Sequence, residues 1–206
     1  MQKEMDALNL LYDRQRKQYQ IARQNVQIIN RKCHELKVQI ADLRRLQPDE
    51  AATQSLDEAE QAARMYDANA ATGNEVLDVV LTEKSLLCEA QRIRLNCVAD
   101  GTCLAAIEPG DLYALFSNLL DQAIDAAAQQ QNDRRMIDLL VCRRQGFAVI
   151  NVIGPALSGS QPDHGRRHSY ELKVARRVVQ KYSGAMATEP RGELFAVKIV
   201  MPLTKG

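Results

Sequence analysis

The feature that most constrains the fold is the stretch at residues 3–46, which contains neither glycine nor proline. Apolar side chains recur there at alternating steps of four and three residues, with Gln15 as the polar exception, at Met5, Leu8, Tyr12, Tyr19, Ala22, Val26, Ile29, Cys33, Leu36, Ile40 and Leu43. A stripe this narrow is typical of a coiled coil. The pattern therefore predicts one long helix that binds a partner helix, with a parallel dimer contact as the expected arrangement.

A second helix is predicted after Pro48, because proline ends the first one and an acidic segment follows it. This second helix has an apolar side at Ala51, Leu56, Ala59, Ala62, Ala63, Met65 and Tyr66. The two helices are expected to form an antiparallel hairpin, and two hairpins would make a four-helix bundle in a dimer. A break at 71–74 predicts the boundary between a helical domain at 1–70 and a second domain at 71–206.

The second domain is predicted to be an α+β layer, with helices on one face of a mixed sheet. Helices are expected at 75–91, 111–127 and 170–182, the last ending at Gly184 as a cap. The predicted strands, two pairs of which are hairpins, are 93–98, 104–107, 136–142, 147–152, 186–189 and 193–201. The Gly-, Pro- and Ser-rich segment 154–167 predicts a mobile loop.

The helix predicted at 111–127 has a broad apolar stripe for a core, and Asp111 stands where a carboxylate can cap free N–H groups. Four polar side chains share another of its faces, namely Asn118, Asp121, Gln122 and Asp125. A polar helix face is more often a solvated surface than a functional one. From this helix alone, both interpretations stand.

Composition excludes several classes of function. The net charge of +1 gives no electrostatic footprint for nucleic acid. The five cysteines form no CxxC pair and there are only three histidines, so reduced thiols are expected rather than a disulfide framework or a zinc site. No run approaches the length of a membrane span, which predicts a chain without a membrane segment, although it can be a piece of a membrane protein.

His34 lies one residue past Cys33, just off the apolar stripe, with Glu35 next to it and Gln39 a turn beyond Glu35. An imidazole held on a stiff helix beside a carboxylate suits a phosphoryl acceptor. An ordinary exposed histidine is the alternative interpretation, and this helix alone favours it.

Four segments together carry a family resemblance: 32–40, 72–84, 111–127 and 171–186. Their order resembles that of GHKL-type sensor histidine kinases, most closely the quorum-sensing branch from Gram-positive bacteria. The resemblance implies a Bergerat-type ATP-binding fold, a homodimeric phosphoacceptor bundle and phosphoryl transfer to a response regulator protein. It also implies the cytoplasmic part of a membrane-anchored sensor.

Residue roles follow from the resemblance. His34 would take the γ-phosphoryl group of ATP, Glu35 would assist its proton transfer, and Gln39 would position water for the reverse reaction. Asn118 and Gln122 match the positions that hold nucleotide and Mg²⁺. The remaining positions implied to contact nucleotide are Gly154 at the adenine site, with Asn151 as the fallback, Arg166 and Arg167 in the ATP lid, and Lys173.

The chain also departs from the family pattern. Gln122 stands where the family has asparagine, and Mg²⁺ tolerates little error in geometry. Gly154 has no side chain to accept the adenine amino group, while Ser169 and Glu171 add bulk and negative charge in the second glycine box, where glycines let backbone N–H groups approach phosphate. These departures predict weak or absent ATP binding.

Three hypotheses therefore remain open: an active histidine kinase, a degenerate pseudokinase that acts as a dimeric signalling scaffold or phosphoacceptor, and a purely structural coiled-coil protein.

Overall fold

The computed structural model describes residues 2–46, 57, 72–131, 134–156 and 162–203. Apart from Asp57, the second helix of the predicted hairpin lies outside the described residues. The helical hairpin, the four-helix bundle and the domain boundary near residue 71 therefore remain predictions.

The first helix, α1, spans Gln2–Leu46, as the absence of glycine and proline predicted. Its stripe is buried at Ala22, Val26, Cys33 and Ile40. Ala22 and Val26 belong to the same buried cluster as the α/β layer, so this part of the stripe packs on a globular core rather than only on a partner helix. Leu36 and Leu43, further along the stripe, are each 49% exposed.

The rest of the described chain is a two-layer α/β unit. Three further helices follow α1: α2 at Glu75–Ala90, α3 at Pro109–Ala128 and α4 at Pro162–Lys181. The strands are β1 at Arg94–Ala99, β2 at Met136–Arg144, β3 at Phe147–Pro155, β4 at Ala185–Arg191 and β5 at Leu194–Pro202. The predicted class, helices on one face of a mixed sheet after an N-terminal helical region, is confirmed.

The sheet has the strand order β1-β2-β3-β5-β4. Strand β1 pairs parallel with β2, and the other neighbours pair antiparallel. Along β3 the side chains alternate, with Ala148, Ile150 and Val152 buried in the core and the intervening residues half-buried on the other face. Helix α3 supplies the largest share of that core, because most of its residues are buried.

The β2–β3 hairpin turn forms where the sequence predicted it. Gln145 and Gly146 both have positive φ, 47° and 84°, which is the pair of left-handed residues that a two-residue hairpin turn requires. Glycine adopts this conformation without strain, and this explains why the turn falls at Gly146.

Two predicted elements are wrong. The strand expected at 104–107 is absent, because Gly101–Leu104 forms a short 3₁₀ turn that Asp100 caps by accepting a hydrogen bond from the Thr102 N–H. The loop expected at 154–167 is helical from Pro162 onward, and Gly154 and Pro155 belong to β3. Proline suits a first helical turn, where its missing N–H has no partner to lose.

The prediction that Asp111 caps α3 is also wrong. The helix begins at Pro109, and Glu108 is the capping position without a side-chain cap bond. Asp111 lies within the first turn and is fully buried. Gly184 was predicted to cap the end of α4. The residue in the left-handed conformation there is Ser183, with a φ of 55°. The N–H of Gly184 donates to the Val179 carbonyl.

Candidate functional site

A cavity of about 280 Å³ lies between α3 and the strands β3 and β5. Its lining residues are Leu119, Gln122, Ala123, Ala126, Val152, Gly154, Pro155, Ala156, Phe195 and Val197. Among these described residues, Gln122 carries the one polar side chain. The cavity is therefore an apolar slot with a single amide in its wall.

Two residues singled out from separate motifs meet in this cavity. Gln122 reaches it from the buried side of α3, and Gly154 reaches it from the end of β3. A Cβ placed on Gly154 would lie 3.6 Å from the Cβ of Ala123, which is an ordinary contact distance. The position of Gly154 thus faces α3 and would accept a side chain directed at the cavity wall.

Asn151, the fallback for the adenine site, does not face the cavity. Side chains alternate along a strand, so Asn151 lies on the face of β3 opposite that of Val152. Its cross-strand neighbours are Leu140 and Lys198, and its Oδ1 atom is buried without a hydrogen-bond partner in the described structure. On this register Asn151 lies on the opposite side of the sheet from the cavity.

Asn118 lies one turn before Gln122 on α3 and is buried. Its Nδ2 atom donates to the Ala114 carbonyl at 2.5 Å, so the amide oxygen is the atom left for a cation. The described residues contain no cluster of three or more His, Cys, Asp or Glu side chains that would hold a metal ion. Two neutral amides would supply few of the oxygen ligands that Mg²⁺ requires, and phosphate and water would supply the rest.

Asp121 has a structural role that the sequence did not indicate. Lys84 is 5% exposed, and its ammonium lies 2.8 Å from Asp121 Oδ1 and 3.0 Å from Glu83 Oε1. Burial alone would lower the pKa of Lys84, but Asp121 and Glu83 outweigh it and raise that pKa above its usual value. The Tyr113 hydroxyl donates to the other Glu83 oxygen at 2.9 Å, which completes the cluster.

A second buried charge ties the start of α3 to the end of α4. Asp111 Oδ2 accepts hydrogen bonds from Lys181 Nζ at 2.7 Å and from the Tyr182 hydroxyl at 2.6 Å. These contacts with Asp111, and one with Glu108, raise the pKa of Lys181 well above its usual range. Sequence reasoning missed this cluster because its members lie about seventy positions apart.

The predicted acceptor residues His34, Glu35 and Gln39 are all exposed on α1. Glu35 Oε2 accepts a hydrogen bond from Lys32 Nζ at 2.6 Å. This bond holds the pKa of Glu35 below its usual value, so the carboxylate beside His34 stays ionised. The acceptor segment is therefore accessible and charged.

The structure does not bring His34 to the cavity. Tyr19 of α1 contacts Tyr113 of α3, with ring centroids 5.4 Å apart, while Gln122 faces the cavity. Successive residues of an α-helix are rotated by about 100° around its axis. Positions 119, 123 and 126 of α3 line the cavity, whereas positions 113, 117 and 121 lie on the opposite side of the helix, where Tyr113 meets α1. Helix α3 therefore stands between α1 and the cavity.

The other predicted nucleotide contacts lie on α4. Arg166 and Arg167 belong to this helix rather than to a loop, and Lys173 is exposed on it. Lys173 is not among the described residues that line the cavity, and the side chains of Arg166 and Arg167 lie outside the part of the chain that the structure describes.

Part of the α/β unit is similar to a known protein family. Residues 107–202 match the family model described as GHKL domain. No curated protein matches the chain. In the described part of the chain, no helix combines the length and apolarity needed to cross a bilayer.

Several solved structures are similar to the chain at low sequence identity. The nucleotide-free catalytic domain of histidine kinase ThkA is 15% identical, covers 65% of this chain and 95% of its own, and has a TM-score of 0.50. The Acinetobacter baumannii histidine kinase AdeS is 12% identical, covers 77% of this chain and 87% of its own, and has a TM-score of 0.47. The likeness to ThkA shows the fold alone: the α/β unit has the fold of a histidine kinase catalytic domain.

Proposed function

We propose that this chain is the cytoplasmic region of a two-component sensor histidine kinase, in which ATP phosphorylates His34 and the phosphoryl group passes to a response regulator. One observation carries the proposal. Gln122 and Gly154, singled out from different motifs, converge on one cavity inside the region that matches a GHKL domain. His34 stands exposed on the helix that precedes this region.

The cavity suits the base of a nucleotide. Its volume of about 280 Å³ is near the lower limit for ligand pockets, and its walls are apolar, as such pockets usually are. The ring would fill the slot and the triphosphate would extend outside it. Phosphoryl transfer depends on positioning and on charge neutralisation. Mg²⁺ and the basic residues of α4 would supply the positive charge, and the neutral amides of Asn118 and Gln122 would help to hold the ion.

The acceptor segment supports the transfer chemistry. Glu35 is ionised beside His34, so it can accept a hydrogen bond from one imidazole nitrogen and leave the other as the nucleophile. Gln39 would hold water for the reverse reaction. Because α3 lies between α1 and the cavity, His34 would receive the phosphoryl group either after the catalytic layer moves or from the cavity of the partner protomer.

The proposal includes a homodimer formed through residues 1–70, a catalytic domain at 71–206 and a response regulator as partner. The exposed Leu36 and Leu43 on the α1 stripe support the dimer. The segment at 32–40 supports membership of the quorum-sensing branch, in which such regions follow a membrane-anchored sensor.

A second candidate function is a degenerate pseudokinase that serves as a dimeric scaffold or as a phosphoacceptor for another kinase. The specific observation in its favour is the cavity wall, where the described lining contains no carboxylate to accept an amino group of adenine. Ser169 and Glu171 at the start of the second glycine box favour the same outcome.

Calorimetric titration with MgATP separates the two functions. Micromolar binding that is lost in Ala123→Leu, which fills the cavity, supports the kinase. The matched control is Ala105→Leu, an exposed position outside the cavity, which should bind as the wild-type chain does. No binding at millimolar ATP by the folded chain contradicts the kinase and supports the pseudokinase.

A further inference from the structure

His34 lies between two cations on the surface of α1. Residues three positions apart share a helix face, with Cβ atoms about 5–6 Å apart, so Arg31 lies one turn before His34 and Lys37 one turn after it. The Arg31 side chain is 70% exposed, whereas Lys37 is half-buried. His34 is itself exposed. The Arg31 guanidinium is therefore the more accessible cation beside the imidazole.

The carboxylate of Glu35, on the other side of Arg31, does not capture this guanidinium. Glu35 Oε1 lies 3.9 Å from Arg31 Nε, which is beyond hydrogen-bond distance, while Oε2 accepts a hydrogen bond from Lys32 Nζ at 2.6 Å. Successive residues are rotated by about 100° around the helix axis, so Lys32 lies on the far side of Glu35 from Arg31. Lys32 thus engages the carboxylate, and the N–H donors of Arg31 stay available to an anion on His34.

Phosphoryl transfer places such an anion on His34. The γ-phosphorus of ATP forms a bond to an imidazole nitrogen, its bond to the bridging oxygen breaks, and ADP leaves with that electron pair. The other imidazole nitrogen gives its proton to Glu35 or to water, and His34 then carries a group with about two negative charges. A guanidinium matches such a group because its planar donors bind two oxygens at once.

We propose that Arg31 is a catalytic residue of the acceptor segment, which binds the phosphoryl group as that group passes to His34. The proposal rests on the proposed function, since it requires that His34 accepts a phosphoryl group. Arg31 precedes the segment 32–40 that carries the resemblance to histidine kinases, so the resemblance gives it no role. Its role follows from its place on the helix, its exposure and its charge.

The first experiment measures initial rates of labelling of the full chain with Mg²⁺ and γ-³²P-ATP at several ATP concentrations. Arg31→Gln should lower kcat about tenfold or more and leave KM for MgATP within about twofold, because Arg31 lies on α1, apart from the cavity. Arg31→Lys keeps the charge but loses the paired donors, so it should recover part of the rate.

The matched control is Arg14→Gln, which removes the same side chain from the same helix. Arg14 is exposed on α1 about 30 Å before His34, so its loss should leave both kcat and KM unchanged. Circular dichroism checks that each variant folds, as expected for exposed positions on a helix.

The second experiment needs no ATP. Phosphoramidate phosphorylates histidine directly: the bond between its phosphorus and its nitrogen breaks, ammonia leaves, and the phosphorus bonds to an imidazole nitrogen. The reaction at His34 is followed by ³¹P NMR as the signal that His34→Gln lacks. Its rate should fall about threefold or more in Arg31→Gln and should be unchanged in Arg14→Gln, because Arg31 acts on the phosphoryl group whatever the donor.

The two donors separate the proposal from the kinase function. Equal rates for Arg31→Gln and wild type with both donors overturn the role of Arg31 and leave the kinase function standing. A fall with ATP alone also overturns it, because Arg31 would then act on the nucleotide. So does an equal fall in Arg14→Gln, because the effect would then belong to the charge of the whole helix.

Labelling of the wild-type chain tests the kinase function itself. A wild-type chain labelled at His34 by phosphoramidate but not by ATP overturns the kinase function, and the phosphoramidate rates then decide the role of Arg31. A folded wild-type chain that is labelled at His34 by neither donor overturns both.

Discussion

At the scale of single residues, two lysine–carboxylate pairs explain why a helix with so much apolar surface also contains the buried Asp111 and the partly exposed Asp121. Each carboxylate pairs with a lysine from another helix, Lys181 for Asp111 and Lys84 for Asp121. Removing one partner of a buried pair leaves the other charge without compensation, which is costly. These residues therefore hold the helices in place around the cavity without lining it.

Lys84→Met is expected to lower the free energy of unfolding by about 1–3 kcal/mol, measured by urea denaturation. The figure is below that of a fully buried pair because the Asp121 and Glu83 side chains are 34% and 37% exposed. The matched control is Lys198→Met, whose partner Glu189 is 43% exposed and whose loss should cost about 1 kcal/mol at most. Equal costs for the two variants would contradict the structural role of Lys84.

The Lys84 contribution also has a predicted pH dependence. The pKa of Lys84 is raised in the folded chain above its ordinary value of 10.5, so the stabilisation is complete below that value and is lost as pH rises through the folded pKa. The difference between wild type and Lys84→Met should be constant from about pH 7 to 9 and should narrow above about pH 10.5. A difference that grows with pH in that upper range would contradict the assignment.

The family resemblance pointed to Gln122 and Gly154 by their positions, because the pattern has nucleotide-contacting residues at fixed places even where this chain carries a different residue. Lys84 and Asp111 were missed for a physical reason. Their burial depends on how distant helices pack, and no local spacing in the sequence encodes it.

At the scale of elements, the apolar stripe of α1 divides into two parts. Around Ala22 and Val26 it packs on the α/β core, and further along it leaves Leu36 and Leu43 half-exposed. Heptad periodicity predicted the helix, which is confirmed, whereas the coiled coil stays a prediction. It could not show which turns face the same chain, because a core and a partner helix both require apolar residues at this spacing.

The double variant Leu36→Glu/Leu43→Glu should convert a dimer into a monomer, since it places charges along the exposed part of the stripe. Analytical ultracentrifugation measures the change. Val38→Glu is the matched control, because Val38 is 48% exposed but lies on the opposite side of α1. If the double variant stays dimeric, the dimer interface does not include this part of α1.

At the scale of the whole molecule, part of α1 packs into the core of the α/β layer, so α1 is not simply an appended helix. Val26 is 7% exposed within the common core, and Arg23 pairs with Glu75 at 2.7 Å. The order of helices and strands predicted the two-layer class, whereas the packing of α1 on α3 had no signal in the sequence.

Val26→Asp should therefore destabilise the α/β layer itself, by about 3 kcal/mol or more, because it buries a carboxylate in an apolar core. Ile28→Asp, two residues away and 50% exposed, should change stability by less than about 0.5 kcal/mol. Thermal unfolding followed by near-UV circular dichroism compares the two. Similar melting temperatures for both variants would show that α1 folds apart from the layer.

The measurement that tests the central claim most directly is incubation of the purified chain with Mg²⁺ and γ-³²P-ATP. The account predicts a label on the wild-type chain that is stable in alkali and lost in acid, as a phosphorus–nitrogen bond is. His34→Gln should carry no label and should fold as wild type does, because His34 is exposed. A label that persists in His34→Gln, or its absence from a wild-type chain that binds MgATP, would contradict the assignment of His34 as the acceptor.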